Sequence, residues 1–90
     1  MAGTRYVVRG VVQGVGFRWF VMRTAQALGV HGWVSNRVDG TVEVVADGGS
    51  DALAELERAL ERGPRGARVE HVEKSEHPHQ LDHIKDFGIR

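Results

Sequence analysis

Segments with the two-residue repeat of a strand and segments with the 3.6-residue repeat of a helix alternate along this chain in an order that few folds accommodate. Residues 4–12 (TRYVVRGVV) are rich in β-branched side chains, which favours a strand. After a glycine-rich segment, apolar residues recur at steps of three and four, the spacing of one helix face. They are Phe17, Phe20, Val21, Ala25 and Leu28, and Gly29 follows in the usual helix-stop position.

The middle of the sequence has the pattern of a β-hairpin. Residues 30–37 and residues 41–46 predict two strands, the second with alternate apolar residues on one side. Asp39 and Gly40 lie between them, and an Asp-Gly pair favours a type I′ turn, whose two central positions need φ above zero. We therefore expect two adjacent antiparallel strands joined at this turn.

A second helix and a further strand complete the pattern. We expect Ser50 to be the N-cap and Asp51 to lie near the positive end of the helix dipole. Residues 63 and 64, Gly-Pro, end this helix, whose apolar face consists of Leu53, Leu56 and Leu60. Residues 67–75 predict a strand with a bulge between Val69 and Val72, where the alternation slips by one residue.

The resulting order, β-α-β-β-α-β, is that of ferredoxin-like α+β sandwiches. Right-handed crossovers place both helices on one face of a four-stranded antiparallel sheet. The tail, residues 86–90, can add a short fifth edge strand that carries Phe87 and Ile89. A chain of this length, without repeats or a linker, predicts a single domain over residues 1–90.

Composition excludes several classes of function. The 12 basic residues balance the 12 acidic ones, so no overall field attracts nucleic acid or an anionic membrane. Cysteine is absent, which removes disulfides, thiolate nucleophiles and cysteine-based metal sites. No apolar run is long enough for a membrane span and no signal peptide precedes the first strand. We expect a cytoplasmic monomer that binds any anion through a local site.

The glycine-rich loop between the first strand and the first helix is the candidate for that site. Gly14 and Gly16 lack Cβ atoms, so successive backbone N–H groups can turn toward an anion at the start of the helix. Arg18 follows in the first helical turn, where its guanidinium can hold two phosphate oxygens. The loop matches neither the P-loop, which needs Lys and Ser or Thr, nor the dinucleotide fingerprint, which needs Gly where Trp19 stands.

Two motifs resemble those of the acylphosphatase family. Residues 8–18, VRGVVQGVGFR, are similar to its first signature, and residues 32–48, GWVSNRVDGTVEVVADG, are similar to its second. Both motifs lie in the expected order, and the length of the chain matches that of a stand-alone member. The resemblance implies a ferredoxin-like fold, hydrolysis of the carboxyl–phosphate bond of acyl phosphates, and no metal or other cofactor.

The resemblance also implies the roles of particular residues. The phosphoryl group is held by the backbone of the loop formed by Gln13, Gly14, Val15, Gly16 and Phe17, together with the Arg18 side chain. Arg18 and Asn36 carry the chemistry, and Asn36 orients the attacking water. An acyl phosphate is already activated, and the bound phosphate accepts the proton of the water, so no side-chain base is needed.

Other interpretations remain open at this point. A non-catalytic, regulatory anion-binding module would keep Arg18 but would have no use for Asn36. An RNA-binding domain would need an aromatic RNP1 strand and a basic surface, which the sequence lacks. The side chain of Gln13 can contact the ligand or support the loop.

The aromatic and histidine-rich segments also allow two readings. Trp19, Phe20 and Met22 can form a ligand platform, although core packing for Phe20 and surface cover for the other two are favoured. Near the C-terminus the histidines have no metal-site spacing, and Pro78 predicts a polar connector there. They are His71, His77, His79 and His83.

Overall fold

A computed structural model describes residues 2–81 and 83–90, with the side chains of residues 2 and 78–80 left out. The strands are β1 (Ala2–Val11), β2 (His31–Asn36), β3 (Val42–Asp47), β4 (Arg68–Gln80) and β5 (Phe87–Ile89), and the helices are α1 (Phe17–Ala27) and α2 (Ser50–Arg62). The predicted ferredoxin-like order is confirmed. Neither helix in the described part of the chain has the length and hydrophobicity needed to cross a membrane.

The five strands form one sheet in the order β4-β1-β3-β2-β5. β1 pairs antiparallel with both β3 and β4, and β2 pairs antiparallel with β3. The predicted short fifth strand is present, but it runs parallel to β2, so the sheet is mixed and not wholly antiparallel. The chain leaves β4 at one edge and crosses to the other edge, where it enters β5 in the direction of β2.

Both helices cover the same face of the sheet and bury their apolar stripes there. α1 contributes Phe17, Val21 and Ala25 and packs against β2 and β5, whereas α2 contributes Leu56, Ala59 and Leu60 and packs against β4. The strands supply alternate residues to this core, which include Tyr6, Val8, Val34, Val42 and Val44. Burial of each large apolar side chain contributes roughly 1.5 to 3 kcal/mol and fixes α1 above the ends of β2 and β5.

The turn between β2 and β3 differs from the predicted type. No described residue other than glycine has a positive φ, so Asp39 cannot occupy a central position of a type I′ turn. Instead, the N–H of Gly40 donates to the carbonyl of Arg37 at 3.1 Å, and Gly40 itself adopts φ 91°. Asp39 Oδ1 accepts bonds from the hydroxyl and the N–H of Thr41, which lower the pKa of the Asp39 carboxyl. This carboxylate closes the loop without left-handed backbone at Asp39.

The start of α2 is also shifted from the prediction. Gly49 is the N-cap and Ser50 is the first helical residue. In the turn before the helix, Asp47 Oδ1 accepts a hydrogen bond from the N–H of Gly48 at 2.9 Å. Asp51 does lie in the first turn, as predicted.

β4 extends beyond the predicted strand into the histidine-rich stretch. The expected bulge is present, since Arg9 pairs with His71 whereas Gly10 pairs with Val69. The prediction of a polar connector in the histidine-rich stretch, with Pro78 as a break, was wrong as far as Gln80, where β4 ends. Among the described strands, β4 lies at an edge of the sheet and pairs with β1, and its register to β1 shifts a second time between Ala2 and Thr4. Proline is tolerated in edge strands because no second ladder needs its missing N–H.

Candidate active site

The loop that joins β1 to α1, residues 12–16, has the open geometry expected of an anion cradle. Gly14 has φ 75° and Gly16 has φ 76°, both in the left-handed region that favours glycine. A Cβ built on either residue would meet nothing within 4 Å. The two glycines are therefore required by backbone conformation, and the space that a Cβ would enter is free for a ligand.

The first turn of α1 leaves its N–H groups available at this loop. Gly16 is the N-cap and provides no side-chain cap, and the first turn contains no acidic residue. The carbonyl of Gly16 accepts the N–H of Phe20 at 3.1 Å, which begins the regular helical ladder. The preceding amides thus lie at the positive end of the helix dipole with no capping side chain, an arrangement that attracts an anion.

Arg18 is exposed in this first turn. Among the residues that the structure describes, no carboxylate lies within ion-pair distance of its guanidinium, whereas Arg5 is paired with Glu43 and Arg58 is paired with Glu55. The charge of Arg18 is therefore not neutralised by the described part of the protein. A planar guanidinium in this state is suited to bind two oxygens of a phosphate.

Asn36 is brought to the same region by the sheet. It is the last residue of β2 and pairs with Val42 of β3. Because side chains alternate along a strand, Asn36 lies on the same face as the fully buried Val34, which is the face that α1 covers. Its exposed side-chain amide makes no hydrogen bond with the described residues, so its oxygen and its NH₂ are available to a ligand or a water.

The side chain of Gln13 connects the cradle to the hairpin that carries Asn36. Its Nε2 donates to the carbonyl of Arg37 at 2.7 Å and to the carbonyl of Thr41 at 2.9 Å. These carbonyls belong to the loop that directly follows Asn36. Of the two roles considered for this side chain, the structure therefore places it in support of the loop.

A cavity of about 500 Å³ brings together most of the predicted site residues. Gly14, Gly16, Phe17, Arg18 and Asn36 all line it. Gln13 and Val15 do not line it, and the proposed contribution of their backbone to phosphate binding stays a prediction. A second depression of about 600 Å³ between α1 and α2 shares Gly16 and Trp19 with it but contains neither Arg18 nor Asn36. The smaller cavity is therefore the candidate active site.

Four further residues that line this cavity were not assigned to the site from the sequence. They are Val12, Trp19, Met22 and Ile89. The sequence allows Trp19 and Met22 as part of a ligand platform, although surface cover is favoured for both, and Met22 lies one helical turn after Arg18. Ile89 reaches the cavity only because β5 pairs with β2, and the three-residue strand contains no signal for that partner.

No histidine side chain that the structure describes lines this cavity. His71 and His83 are exposed, and the ring of His77 contacts Trp33 edge-on at a centroid distance of 5.6 Å. The side chain of His79 lies outside the described residues. In the described part of the chain, no group of three or more His, Asp or Glu side chains is arranged to hold a metal ion.

The fold is a ferredoxin-like domain, and the cavity is a candidate anion site lined by a backbone loop, an arginine and an asparagine. The sequence profile of the acylphosphatase family matches residues 4–89. The chain belongs to the acylphosphatase family. This membership confirms the predicted family, the predicted fold and the prediction of acylphosphatase activity.

Individual relatives agree with the family assignment. The chain is 56% identical over 85 residues to the acylphosphatase of Koribacter versatilis, covering 94% of this chain and 76% of that protein. It is 47% identical over 90 residues to the acylphosphatase of Pasteurella multocida, covering 100% and 99%. The crystal structure of acylphosphatase from Bacillus subtilis superposes with a TM-score of 0.92 at 38% identity, covering 100% of this chain and 99% of that one.

Proposed function

We propose that this chain hydrolyses acyl phosphates in the cavity between the 13–18 loop and the end of β2. The observation that carries the proposal is that a single cavity holds the cradle glycines, the unpaired guanidinium of Arg18 and the free amide of Asn36. The phosphoryl group lies against the backbone N–H groups of the loop and the start of α1. Its two negative charges face the helix dipole and Arg18.

The reaction requires position and charge stabilisation more than a nucleophilic side chain. An acyl phosphate is a mixed anhydride with a good carboxylate leaving group, and its phosphoryl transfer passes through a loose transition state with charge on the equatorial oxygens. Arg18 and the loop amides hold those oxygens and stabilise the developing charge. Each charge-assisted hydrogen bond is worth roughly 1.5 to 3 kcal/mol, so a bidentate arginine supplies a large share of the binding.

Asn36 orients the water that attacks phosphorus. Its amide oxygen accepts a hydrogen bond from the water, and its NH₂ can donate to a phosphoryl oxygen, but the amide is not basic enough to take the proton. The water oxygen forms a bond to phosphorus as the bond from phosphorus to the acyl oxygen breaks. The carboxylate departs with the electron pair, and a phosphoryl oxygen receives the proton, which leaves inorganic phosphate.

Gln13 sets the distance between the two halves of this arrangement. The cradle lies at the end of β1 and Asn36 lies at the end of β2, and these strands are separated in the sheet by β3. The two hydrogen bonds of Gln13 reach across from the loop to the carbonyls that follow Asn36. A fixed distance matters because a displacement of about 1 Å between reacting groups can reduce the rate by ~10²-fold.

The cellular setting is part of the same proposal. The balance of 12 basic and 12 acidic residues favours a small-molecule substrate over nucleic acid, and the absence of cysteine is compatible with the reducing cytoplasm. The protein acts there as a monomer on a soluble acyl phosphate.

Release of inorganic phosphate from acetyl phosphate and benzoyl phosphate tests the proposal. The assay contains a chelator and no added metal, and we expect turnover by the wild-type protein. Replacement of Arg18 by alanine is expected to raise KM and to lower kcat. If the folded wild-type protein binds inorganic phosphate but releases none from either substrate, the function is that of a non-catalytic anion-binding module.

A further inference from the structure

One wall of the candidate active site is apolar and takes no part in the proposed phosphoryl transfer. Trp19, Met22 and Ile89 line the same cavity of about 500 Å³ as Arg18 and Asn36. That volume lies within the ~300 to 1,000 Å³ of small-molecule sites, whereas a phosphoryl group alone is much smaller. The rest of the cavity is available to the acyl part of the substrate.

Two of these wall residues leave large apolar surfaces in water. Trp19 is 58% exposed and Ile89 is 44% exposed. Val38, which is also exposed, lies on the hairpin turn and does not line the cavity. Single exposed apolar residues are ordinary on a protein surface, but a group of them in a cavity with polar reacting groups is typical of a ligand site.

The backbone fixes this wall beside the reacting groups. Trp19 follows Arg18 on α1, and Met22 lies one helical turn from both. Ile89 pairs with Val34, and the N–H of Arg90 donates to the carbonyl of Val34 at 2.8 Å. Paired residues share a face of the sheet, so Ile89 lies on the face of Asn36, two residues further along β2.

The charge of the cavity limits the kind of acyl group that it accepts. Arg18 is the one charged residue among the described residues that line it, and the phosphoryl group uses its charge. Arg23, whose guanidinium lies 5.9 Å from the centre of the Trp19 ring, does not line the cavity. An acyl group with a second carboxylate or phosphate would therefore leave water for a wall that no second cation lines, which is costly. An uncharged acyl group would instead remove apolar surface from water on both sides.

We infer that Trp19, Met22 and Ile89 form an acyl-binding subsite that selects acyl phosphates with an uncharged, apolar acyl group, either aromatic or branched aliphatic. This inference rests on the proposed orientation of the substrate, with the phosphoryl group in the cradle. The acyl group lies against the indole of Trp19 and the side chain of Ile89. Selectivity at the acyl end therefore comes from residues that take no part in the chemistry.

The subsite is tested with kcat/KM for benzoyl phosphate, acetyl phosphate and succinyl phosphate. We compare the wild-type protein with Trp19→Ala and Ile89→Ala, and with Val38→Ala as the matched control at an exposed apolar residue outside the cavity. The intrinsic reactivities of the substrates differ, but they cancel when the benzoyl-to-acetyl ratio of a variant is divided by that of the wild type. We expect this ratio to fall by ~10-fold in Trp19→Ala and to stay the same in Val38→Ala.

Two results would overturn the subsite. One is an unchanged benzoyl-to-acetyl ratio in both wall variants, and the other is a preference of the wild type for succinyl phosphate over benzoyl phosphate. A binding measurement separates this inference from the proposed function. If the wild type releases no phosphate, calorimetry with phenylphosphonate and methylphosphonate still tests the wall, since Trp19→Ala must weaken phenylphosphonate binding more than methylphosphonate binding.

Discussion

Replacement of Gly16 by alanine separates the conformational role of the cradle from its contact with substrate. Gly16 has φ 76°, and a Cβ at this position would meet nothing in the protein within 4 Å. An L-residue in the left-handed region costs roughly 1 to 2 kcal/mol, and the smaller entropy of the unfolded alanine chain offsets part of this cost. The net loss is about 1 kcal/mol, which lowers Tm by roughly 4 to 8 °C in a domain of this size.

Gly29 provides a matched control for this substitution. It has φ 72°, and a Cβ there would also meet nothing within 4 Å, but it lies at the opposite end of α1. Gly29→Ala is therefore expected to lose the same stability as Gly16→Ala and to keep its catalytic rate. The new methyl group at Gly16 enters the cavity and moves the phosphoryl group away from the loop amides, so kcat/KM falls on the order of 10²-fold.

The assay combines thermal unfolding by circular dichroism with phosphate release from benzoyl phosphate at a temperature where both variants are folded. Equal losses of stability with a loss of activity only in Gly16→Ala support the cradle. If both variants lose stability and both keep wild-type kcat/KM, the phosphoryl group does not lie against this part of the loop. The proposed orientation of the substrate would then be wrong.

Three further predictions follow from particular contacts. Gln13→Ala loses two hydrogen bonds, which lowers the free energy of unfolding in urea by about 1 to 2 kcal/mol. We expect its kcat to fall by ~10-fold or more with little change in phosphate affinity. The control Gln26→Ala loses a single bond to the Phe87 carbonyl and keeps its kcat. An unchanged kcat in Gln13→Ala would limit this side chain to a structural role. Arg18→Lys keeps the positive charge but cannot bind two phosphate oxygens with a planar guanidinium, so its kcat/KM lies between those of Arg18→Ala and the wild type. A kcat/KM equal to that of the wild type would exclude the bidentate contact. Burial, with a smaller contribution from the Glu57 carboxylate, raises the pKa of Tyr6 to about 12. Because the unfolded chain ionises first, the stability of the wild type falls by roughly 1 kcal/mol more than that of Tyr6→Phe between pH 8 and pH 11. Parallel urea titrations with no such difference would contradict the shift.

The order of strands and helices could be predicted because each segment carries its own periodic pattern. The apolar residues of α1 and α2 and the alternating residues of β3 all face one core, as their spacing indicates. The sequence could not specify which of several neighbouring residues would form a helix cap or close a turn. Gly49 and not Ser50 is the N-cap of α2, and the Asp39 carboxylate closes the β2–β3 loop in place of a type I′ turn.

The candidate site was predictable in part for the same reason. Gly14, Gly16 and Arg18 lie close together in the sequence and form a pattern that indicates an anion-binding loop. The two hydrogen bonds of Gln13 join residues that are 24 and 28 positions apart in the sequence. They depend on the register of the hairpin, which no local pattern specifies. The position of Ile89 depends on which sheet edge accepts β5, and a strand of three residues cannot indicate this.

The account depends most directly on Asn36, because this residue separates a hydrolase from a site that merely binds phosphate. The decisive measurement is kcat for phosphate release from benzoyl phosphate by Asn36→Ala, made beside the affinity of the variant for inorganic phosphate by calorimetry. We predict a loss of kcat on the order of 10² to 10³, the usual effect of removing one well-placed polar group, with phosphate still bound by the loop and Arg18. A kcat close to that of the wild type in the folded variant would contradict the role of Asn36 in orienting the water.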